Sequence, residues 1–335
     1  MSIAELFPDA IADGEGTTYI PLKDSEYRNS YSERLFTAKH YDWRDDFVKN
    51  GYVVIKNAIP RERALKYQKD VFQLVTTFSN VDFANPASWT PETLPPVPGN
   101  IYSGHGLNHE KVFWEARLEQ GVIDAFGHLW GTDQLLVSYD GFNVTLPVKR
   151  TIQPWPHFDQ SPYKQGLHCA QGIICLSDHT ASDGGLVVYR GSHLLFEEFF
   201  KTVPDWEKND YVELTPSQLA WFTERGCEEV KISCEAGDLI IWDSRTCHWG
   251  RPPTEKSEHV RTVLYASYAP AELASAEFLE KRSRLFYAGE GTTHWTHSNL
   301  ASYSAHIPVL AHRNQPSSPP EPSDRLLQLA GIKSY

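Results

Sequence analysis

The sequence predicts a mainly β fold, in which one antiparallel barrel or sandwich has helices packed outside it. The first observation is a change of texture from Gln134 onward, where short apolar segments alternate with turns rich in Gly, Asp and Pro. These segments are "QLLVSYDGFNV", "GIICL", "GLVVY", "EVKISC", "DLIIWD" and "RTVLYASY". The second observation is helical periodicity on both sides of that stretch. With 335 residues, 41% of them apolar, the chain has ample length for a buried core.

The elements before the strands can be placed in order. Residues 1–40 are polar and irregular, and we expect them to form an extension over the core. Asp42 is placed to cap a helix with an acidic first turn, and Gly51 is placed to end it. A short strand, "YVVI", and a helix from Arg61 to Phe78 follow. One face of that helix carries Ala64, Val71, Phe72, Val75 and Phe78.

The segment from Phe83 to Gly106 is rich in Pro and Gly, which predicts a long loop. Loops of this length in compact proteins are often functional and frequently cover an active site. A helical stretch follows from His109 to Trp130, with an interruption near Gly121. A helix from about Thr215 to Thr223 interrupts the strands, and another runs from Pro270 to about Ala288.

We therefore expect three parts in the chain. Residues 1–40 are the extension. Residues 41–288 form a single domain with helical support, whose strand core spans about 134–268. Residues 289–335 form a tail that is proline-rich near 315–323, which is typical of a polyproline-like surface segment or a disordered strip.

Charge and composition limit the classes of partner. The net charge of −12 argues against nucleic acid and anionic membranes, because an acidic surface repels phosphate groups. No segment approaches the length of about 18 apolar residues that a membrane span needs, and the N-terminus lacks the basic and apolar regions of a leader. Five cysteines without a Cys-x-x-Cys pair indicate reduced thiols. We expect a cytoplasmic protein, a monomer or homodimer, that binds a small molecule.

A His-x-Asp pattern occurs twice, at His40 and Asp42 and again at His157 and Asp159. Chance alone accounts for such a pair, so the context must separate the two copies. Asp42 is better explained as a helix cap. His157 and Asp159 lie in a predicted strand, where residues two apart point to the same face, so both side chains can converge on one ion.

An imidazole and a carboxylate on one strand need a third ligand from elsewhere in the chain. His248 follows the strand "DLIIWD" and is our choice, whereas His193 of "GSH" is interpreted as a turn residue. Two histidines and one carboxylate form a facial triad that leaves coordination positions open, as in non-haem Fe(II) oxygenases. Arg261, which opens the next strand, is placed to bind a dicarboxylate by two parallel hydrogen bonds.

The order and spacing of these residues resemble those of a known protein family. The order of His157-x-Asp159, "LSDHTASDGGLVVYRGSH", "AGDLIIWDSRTCHWG" and the Arg261 strand resembles the phytanoyl-CoA dioxygenase family of iron- and 2-oxoglutarate-dependent oxygenases. The resemblance covers roughly Gln134 to Tyr268. The stretch "FVKNGYVVIKNAI" is also similar to the usual N-terminal helix and strand of that family. The resemblance implies a double-stranded β-helix, the jelly-roll or cupin-like barrel.

The resemblance also implies roles for single residues. His157, Asp159 and His248 would hold Fe(II), and Arg261 would bind the distal carboxylate of the cosubstrate 2-oxoglutarate. The spacing from His248 to Arg261 is a little longer than the family pattern. Arg251 is therefore a second candidate for that carboxylate, although a less favoured one. Asn143, on the strand before the motif, is a further candidate for hydrogen bonding to 2-oxoglutarate.

Four residues that flank these positions are candidates for lining the substrate cavity, with core packing as the alternative for each. They are Phe142, Trp155, Gln160 and Tyr163.

The resemblance implies a reaction that consumes O2 and 2-oxoglutarate, releases succinate and CO2, and oxidises an unactivated C–H bond. Hydroxylation of a small-molecule metabolite is the expected outcome. Two alternatives stay open: a cupin-like zinc hydrolase with the same three ligands, and a barrel that binds a ligand without catalysis. Arg261 argues against the hydrolase, which has no need of a carboxylate clamp.

Overall fold

A computed structural model describes residues 11–12, 18–19, 29–203 and 210–335, and these residues contain short antiparallel strands and nine α-helices. The strands are β1 (Ile11–Ala12), β2 (Thr18–Tyr19), β3 (Tyr52–Ile55), β4 (Ile101–Tyr102), β5 (Leu135–Val137), β6 (Phe142–Thr145), β7 (His157–Phe158), β8 (Ala170–Cys175), β9 (Gly185–Arg190), β10 (Val212–Glu213), β11 (Glu228–Lys231), β12 (Leu239–Asp243), β13 (His248–Arg251), β14 (Arg261–Tyr265) and β15 (Tyr268–Pro270). The helices are α1 (Ser30–Thr37), α2 (Trp43–Asn50), α3 (Arg61–Thr76), α4 (Lys111–Arg117), α5 (Gln120–Trp130), α6 (Phe196–Lys201), α7 (Pro216–Thr223), α8 (Ala276–Ala288) and α9 (Asp324–Ala330).

Two antiparallel sheets form the centre of the fold. One has five strands in the order β10-β7-β13-β9-β11. The other has eight strands and follows β3-β12-β8-β14-β6-β4, with β15 joining β8 to β5. The predicted fold class, mainly β with flanking helices in a jelly-roll arrangement, is confirmed. In the described part of the chain the two hydrogen-bond ladders do not join, so the sheets form an open sandwich rather than a closed barrel.

The alternation of side chains along β9 separates two hydrophobic layers. Leu186 and Val188 point between the sheets, where they pack with residues of β8 and β12. Val187 and Tyr189 point to the opposite face and meet a cluster of phenylalanines from the segment around α6 and α7. A period of two residues is the ordinary geometry of a strand, and here both faces are buried. The five-stranded sheet is therefore held in place from both sides.

The N-terminal helices agree with their sequence signals. Asp42 accepts a hydrogen bond from the backbone of Arg44 at the start of α2, and Gly51 ends the helix with a left-handed φ of 81°. The predicted interruption near Gly121 is confirmed, since the helical stretch breaks between α4 and α5, just before this glycine. Gly121 lies inside α5, where a Cβ would stand 2.2 Å from the carbonyl oxygen of Ala58. The glycine marks close packing rather than a helix end.

The segment after residue 289 packs onto the domain. It contains α9, a helix not expected from the sequence, which is capped by Ser323 and has Leu326 and Leu329 buried. Arg282 of α8 donates hydrogen bonds to the carbonyl oxygens of Leu329 and Ala330. The proline-rich stretch is also fixed, since the backbone amides of residues 317 and 318 donate to a buried carboxylate at the start of α4. Within the described residues, no helix combines the length and apolarity that a membrane span requires.

Candidate metal centre and adjoining cavity

Strand geometry brings the three predicted ligands together. His157 lies on β7 and Asp159 follows two residues later, so both side chains face the space between the sheets. Phe158, between them, points the other way into the phenylalanine cluster. His248 opens β13 and is paired directly with His157 across the ladder. The two-residue spacing brings His157 and Asp159 together, and the pairing of β13 with β7 adds His248.

The distances within this set suit one ion. The Nε2 of His248 lies 3.1 Å from Oδ2 of Asp159, and the Nε2 of His157 lies 3.6 Å from the same oxygen. All three ligand atoms lie within 4.8 Å of one another, and all three residues are buried. Adjacent ligands of an octahedral ion bound at about 2.1 Å stand about 3 Å apart. The set fits a divalent metal.

Both imidazoles are oriented by backbone carbonyl groups that lie two residues before them in the chain. The Nδ1 of His157 donates to the carbonyl oxygen of Trp155 at 3.0 Å, and the Nδ1 of His248 donates to that of Thr246 at 2.9 Å. A carbonyl oxygen only accepts, so the Nδ1 of each ring carries a proton, and once Nε2 is deprotonated its lone pair is available to a metal. Burial, together with the neighbouring His157, lowers the pKa of His248 and favours this neutral form.

Asp159 is held as a carboxylate. Burial by itself would raise its pKa, but the imidazoles of His294, His157 and His248 together bring the pKa well below the usual range. Gln171 of β8 donates to Oδ2 of Asp159 at 3.0 Å, which fixes the carboxylate plane. The eight-stranded sheet thus also helps to orient the ligands that the five-stranded sheet carries.

Replacing Gln171 with leucine is expected to weaken Co(II) or Fe(II) binding by about 10- to 100-fold, because hydrogen bonds that orient metal ligands contribute at this level. Equilibrium dialysis with metal analysis would measure the change. Gln134→Leu, an exposed position before β5, is the matched control and should leave affinity unchanged. Equal affinity of wild type and Gln171→Leu would contradict the orienting role.

Arg261 lies on the eight-stranded sheet and reaches the same space. It is paired with Thr145 across the β14–β6 ladder, and its Nη1 donates to Oδ1 of Asn143 at 2.8 Å. The amide nitrogen of Asn143 in turn donates to the carbonyl oxygen of Gly99 at 2.7 Å. Asn143 therefore orients the guanidinium. The Nε of Arg261 is buried and has no hydrogen-bond partner within the described residues.

The metal ligands and Arg261 open into one cavity of about 350 Å³. This volume lies in the range of about 300–1,000 Å³ that is usual for small-molecule sites. Trp155 lines the cavity and stacks on His157, with ring centroids 4.5 Å apart and an interplanar angle of 4°. Val97 and Ile101, from the long loop, and Trp249 add apolar walls. The cavity is mostly apolar beside a polar floor.

Three residues expected to line the cavity do not do so. Phe142 is buried in the core, where it stacks between Tyr102 and Phe113. Gln160 is buried too, and its amide nitrogen donates to the carbonyl oxygens of residues 164 and 166 in the turn after β7. Tyr163, 44% exposed, lies in the same turn, away from the residues that line the cavity. Neighbours of a ligand in sequence need not face the ligand.

The two alternative residues are also accounted for. His193 is apart from the triad, and its Nε2 bonds to the carbonyl oxygen of Val48 at 2.9 Å. Arg251 does reach the cavity wall, but it forms an ion pair with Glu229 of β11. Arg261 has no carboxylate within 4.0 Å among the described residues, so Arg261 is the better placed of the two for an incoming anion.

A polar wall of the cavity was missed from the sequence. It consists of Asp140, Thr293, His294 and Tyr303. The Nδ1 of His294 lies 3.9 Å from Oδ2 of Asp159, and burial raises the pKa of Asp140 to about 6. The only available signal was the histidine- and threonine-rich stretch "GTTHWTHSN", which has no periodicity and gives no indication of its place in the fold.

Comparison with known proteins gives consistent matches. The family model described as phytanoyl-CoA dioxygenase (PhyH) matches residues 47–262. The Ava biosynthesis cluster protein O of Aspergillus versicolor is 36% identical over 276 residues, which are 78% of this chain and 89% of that protein.

Two solved structures are similar in fold. GlcNAc Inducible Gene 2, GIG2 (DUF1479), from Candida albicans aligns with a TM-score of 0.55 and 14% identity, covering 93% of this chain and 84% of its own. The hypothetical protein JW0805 from Escherichia coli aligns with a TM-score of 0.54 and 15% identity, covering 80% and 78%. At these identities the likeness concerns the fold alone.

Proposed function

The chain belongs to the phytanoyl-CoA dioxygenase family, and on that premise we propose that it is an Fe(II)- and 2-oxoglutarate-dependent oxygenase of a small-molecule metabolite. The reaction would oxidise an unactivated C–H bond of the substrate, by hydroxylation as the default outcome. One oxygen atom of O2 would go to the product and the other to succinate, with CO2 released from 2-oxoglutarate.

One observation carries the proposal. Two imidazoles and one carboxylate, with ligand atoms within 4.8 Å of one another, share a cavity with a buried arginine that has no acidic partner among the described residues. A site for a metal and a site for an anion, joined by one cavity, match the needs of a 2-oxo acid that chelates iron at one end and ends in a carboxylate at the other.

The residues of the chain have distinct tasks in this reaction. His157, Asp159 and His248 would hold Fe(II), which when bound supplies the activation of O2. Arg261, oriented by Asn143, would bind the distal carboxylate of 2-oxoglutarate and so set the position of its 2-oxo end. Trp155, packed flat on His157, keeps that imidazole in place and excludes water from one side of the cavity.

The cavity favours a small, largely apolar substrate that carries a polar group. Val97, Ile101 and Trp249 offer apolar surface, and the side chains of Thr293 and His294 offer atoms without hydrogen-bond partners among the described residues. Unpaired buried polar atoms are costly, so a substrate that meets them gains affinity and orientation. A zinc hydrolase would leave Arg261 unexplained, and a barrel without catalysis would leave the intact set of three metal ligands beside Arg261 unexplained.

The wild-type protein with Fe(II), ascorbate and 2-oxoglutarate is expected to form succinate, slowly when alone and faster when a suitable metabolite is present. Succinate is measured by chromatography, and EDTA should stop its formation. Absence of iron-dependent succinate across a broad set of metabolites, together with hydrolysis in the presence of Zn²⁺, would favour the hydrolase instead.

A further inference from the structure

A second cation, Lys231, lies close to Arg261 beside Gly185, at the edge of the cavity. Gly185, the first residue of β9, lines the cavity and has no side chain to separate the groups around it. A Cβ on Gly185 would stand 3.0 Å from the Nζ of Lys231 and 3.3 Å from the Nε of Arg261. The ammonium and guanidinium groups therefore approach the same face of this glycine. Gly185 has a positive φ of 150°, which residues with a side chain rarely adopt, so glycine is favoured at this position.

Neither cation is neutralised. The Nζ of Lys231 donates to the carbonyl oxygens of Ile232 at 2.8 Å and Thr180 at 3.3 Å, and Arg261 donates to the amide of Asn143. Among the described residues, no carboxylate oxygen lies within 4.0 Å of either cation. By contrast, Lys56 pairs with two carboxylates. Each cation thus has only neutral hydrogen-bond partners, and both groups lie close to one glycine at the cavity, an arrangement that suits an anion.

Two like charges held close together, one buried and one partly buried, are unfavourable without a counter-ion. Burial, together with nearby Arg261, lowers the pKa of Lys231 to about 8, so Lys231 is still charged at neutral pH. Next to it, the Nε of Arg261 is buried without a hydrogen-bond partner among the described residues. Cations and unpartnered polar atoms in one place predict a ligand that brings negative charge.

We propose that Lys231 is a second cation of the cosubstrate site, acting with Arg261 on the distal carboxylate of 2-oxoglutarate. The inference rests on the proposed function and adds a positioning residue to it. Arg261 supplies directed hydrogen bonds, whereas Lys231 supplies positive charge next to them. Lys231 therefore strengthens the binding of the cosubstrate and has no part in the chemical step.

The test removes the charge from the protein and the carboxylate from the ligand in turn. Ni(II)-loaded protein, which binds 2-oxo acids without turnover, is titrated calorimetrically with 2-oxoglutarate and with 2-oxobutyrate, which lacks the distal carboxylate. Lys231→Met is expected to weaken 2-oxoglutarate binding about tenfold, or about 1.4 kcal/mol, and to change 2-oxobutyrate binding less than about twofold. In turnover, the KM for 2-oxoglutarate should rise while kcat stays nearly constant.

Further variants keep the test decisive. Lys231→Gln retains hydrogen bonding without charge and should behave like Lys231→Met, whereas Lys231→Arg should retain most of the wild-type affinity. Lys66→Met, on the exposed face of α3, is the matched control for loss of a lysine. If Lys231→Met and Lys231→Gln keep the wild-type preference for 2-oxoglutarate over 2-oxobutyrate, the role of Lys231 is refuted alone. If the wild-type protein shows no such preference, the proposed function and the inference fall together.

Discussion

Asp159→Ala is expected to reduce 2-oxoglutarate-dependent succinate formation by at least about 100-fold, because the loss of a ligand exceeds the effect of losing a group that only orients one. The carboxylate of Asp159 is the single anionic member of the triad, and both imidazoles approach its Oδ2. Removing it also leaves the Gln171 amide without its acceptor. Metal content after dialysis and succinate formation are measured on the same samples.

The second His-x-Asp copy provides an internal control. Asp42→Asn changes a carboxylate in the same short pattern, yet asparagine caps a helix about as well as aspartate. Asp42 also pairs with Arg44 and His128 at the surface, where ion pairs contribute little. Asp42→Asn should therefore keep full activity and metal content. Equal losses in Asp42→Asn and Asp159→Ala would show that the activity depends on stability rather than on a metal ligand.

Arg282→Met is expected to lower the free energy of unfolding by about 3–5 kcal/mol, because buried carbonyl oxygens lose the hydrogen-bond donor that Arg282 provides. Arg282 is fully buried and donates to the carbonyl oxygens of Val137, Thr296, Leu329 and Ala330. These acceptors lie on β5, on the segment that carries His294, and on α9. A urea titration followed by tryptophan fluorescence measures the change.

Arg284→Met is the matched control on the same helix. Its side chain is 43% exposed, and its ion pair with Glu280 has a separation of 3.6 Å. A change within about 0.5 kcal/mol is expected there, as for most surface substitutions. If Arg282→Met were equally mild, the carbonyl oxygens would have found other donors, and the C-terminal helix would be held by its apolar face alone.

Strand alternation explains both the success and the failure of the sequence analysis at the site. It correctly placed His157 and Asp159 on one face, because a period of two is a local property of the backbone. Along β6 the same rule turns Phe142 away from Asn143, and in the bend after β7 Gln160 turns away from Asp159. Neighbours in sequence are therefore not neighbours in space at this site, and these two residues are buried away from the cavity.

Other parts of the site depend on tertiary contacts that leave no pattern in the sequence. The segment with Thr293 and His294 is irregular, and it is placed by a hydrogen bond from the backbone of Thr292 to the carbonyl oxygen of Tyr139. Lys231 faces Arg261 only because β11 and β14 lie on different sheets that approach each other near Gly185. Such proximity arises from packing, so no local periodicity can predict it.

The hydrogen bonds from His157 to Trp155 and from His248 to Thr246 each span only two residues, so the chain sets both rings by itself. A coordination sphere that is shaped in advance accepts an ion without refolding, and exchange should be quick. It also offers little discrimination, because nickel, copper and zinc generally bind such donors more strongly than ferrous iron. The ion recovered with the purified protein will therefore reflect the growth medium and the buffers as much as the chemistry that the protein performs.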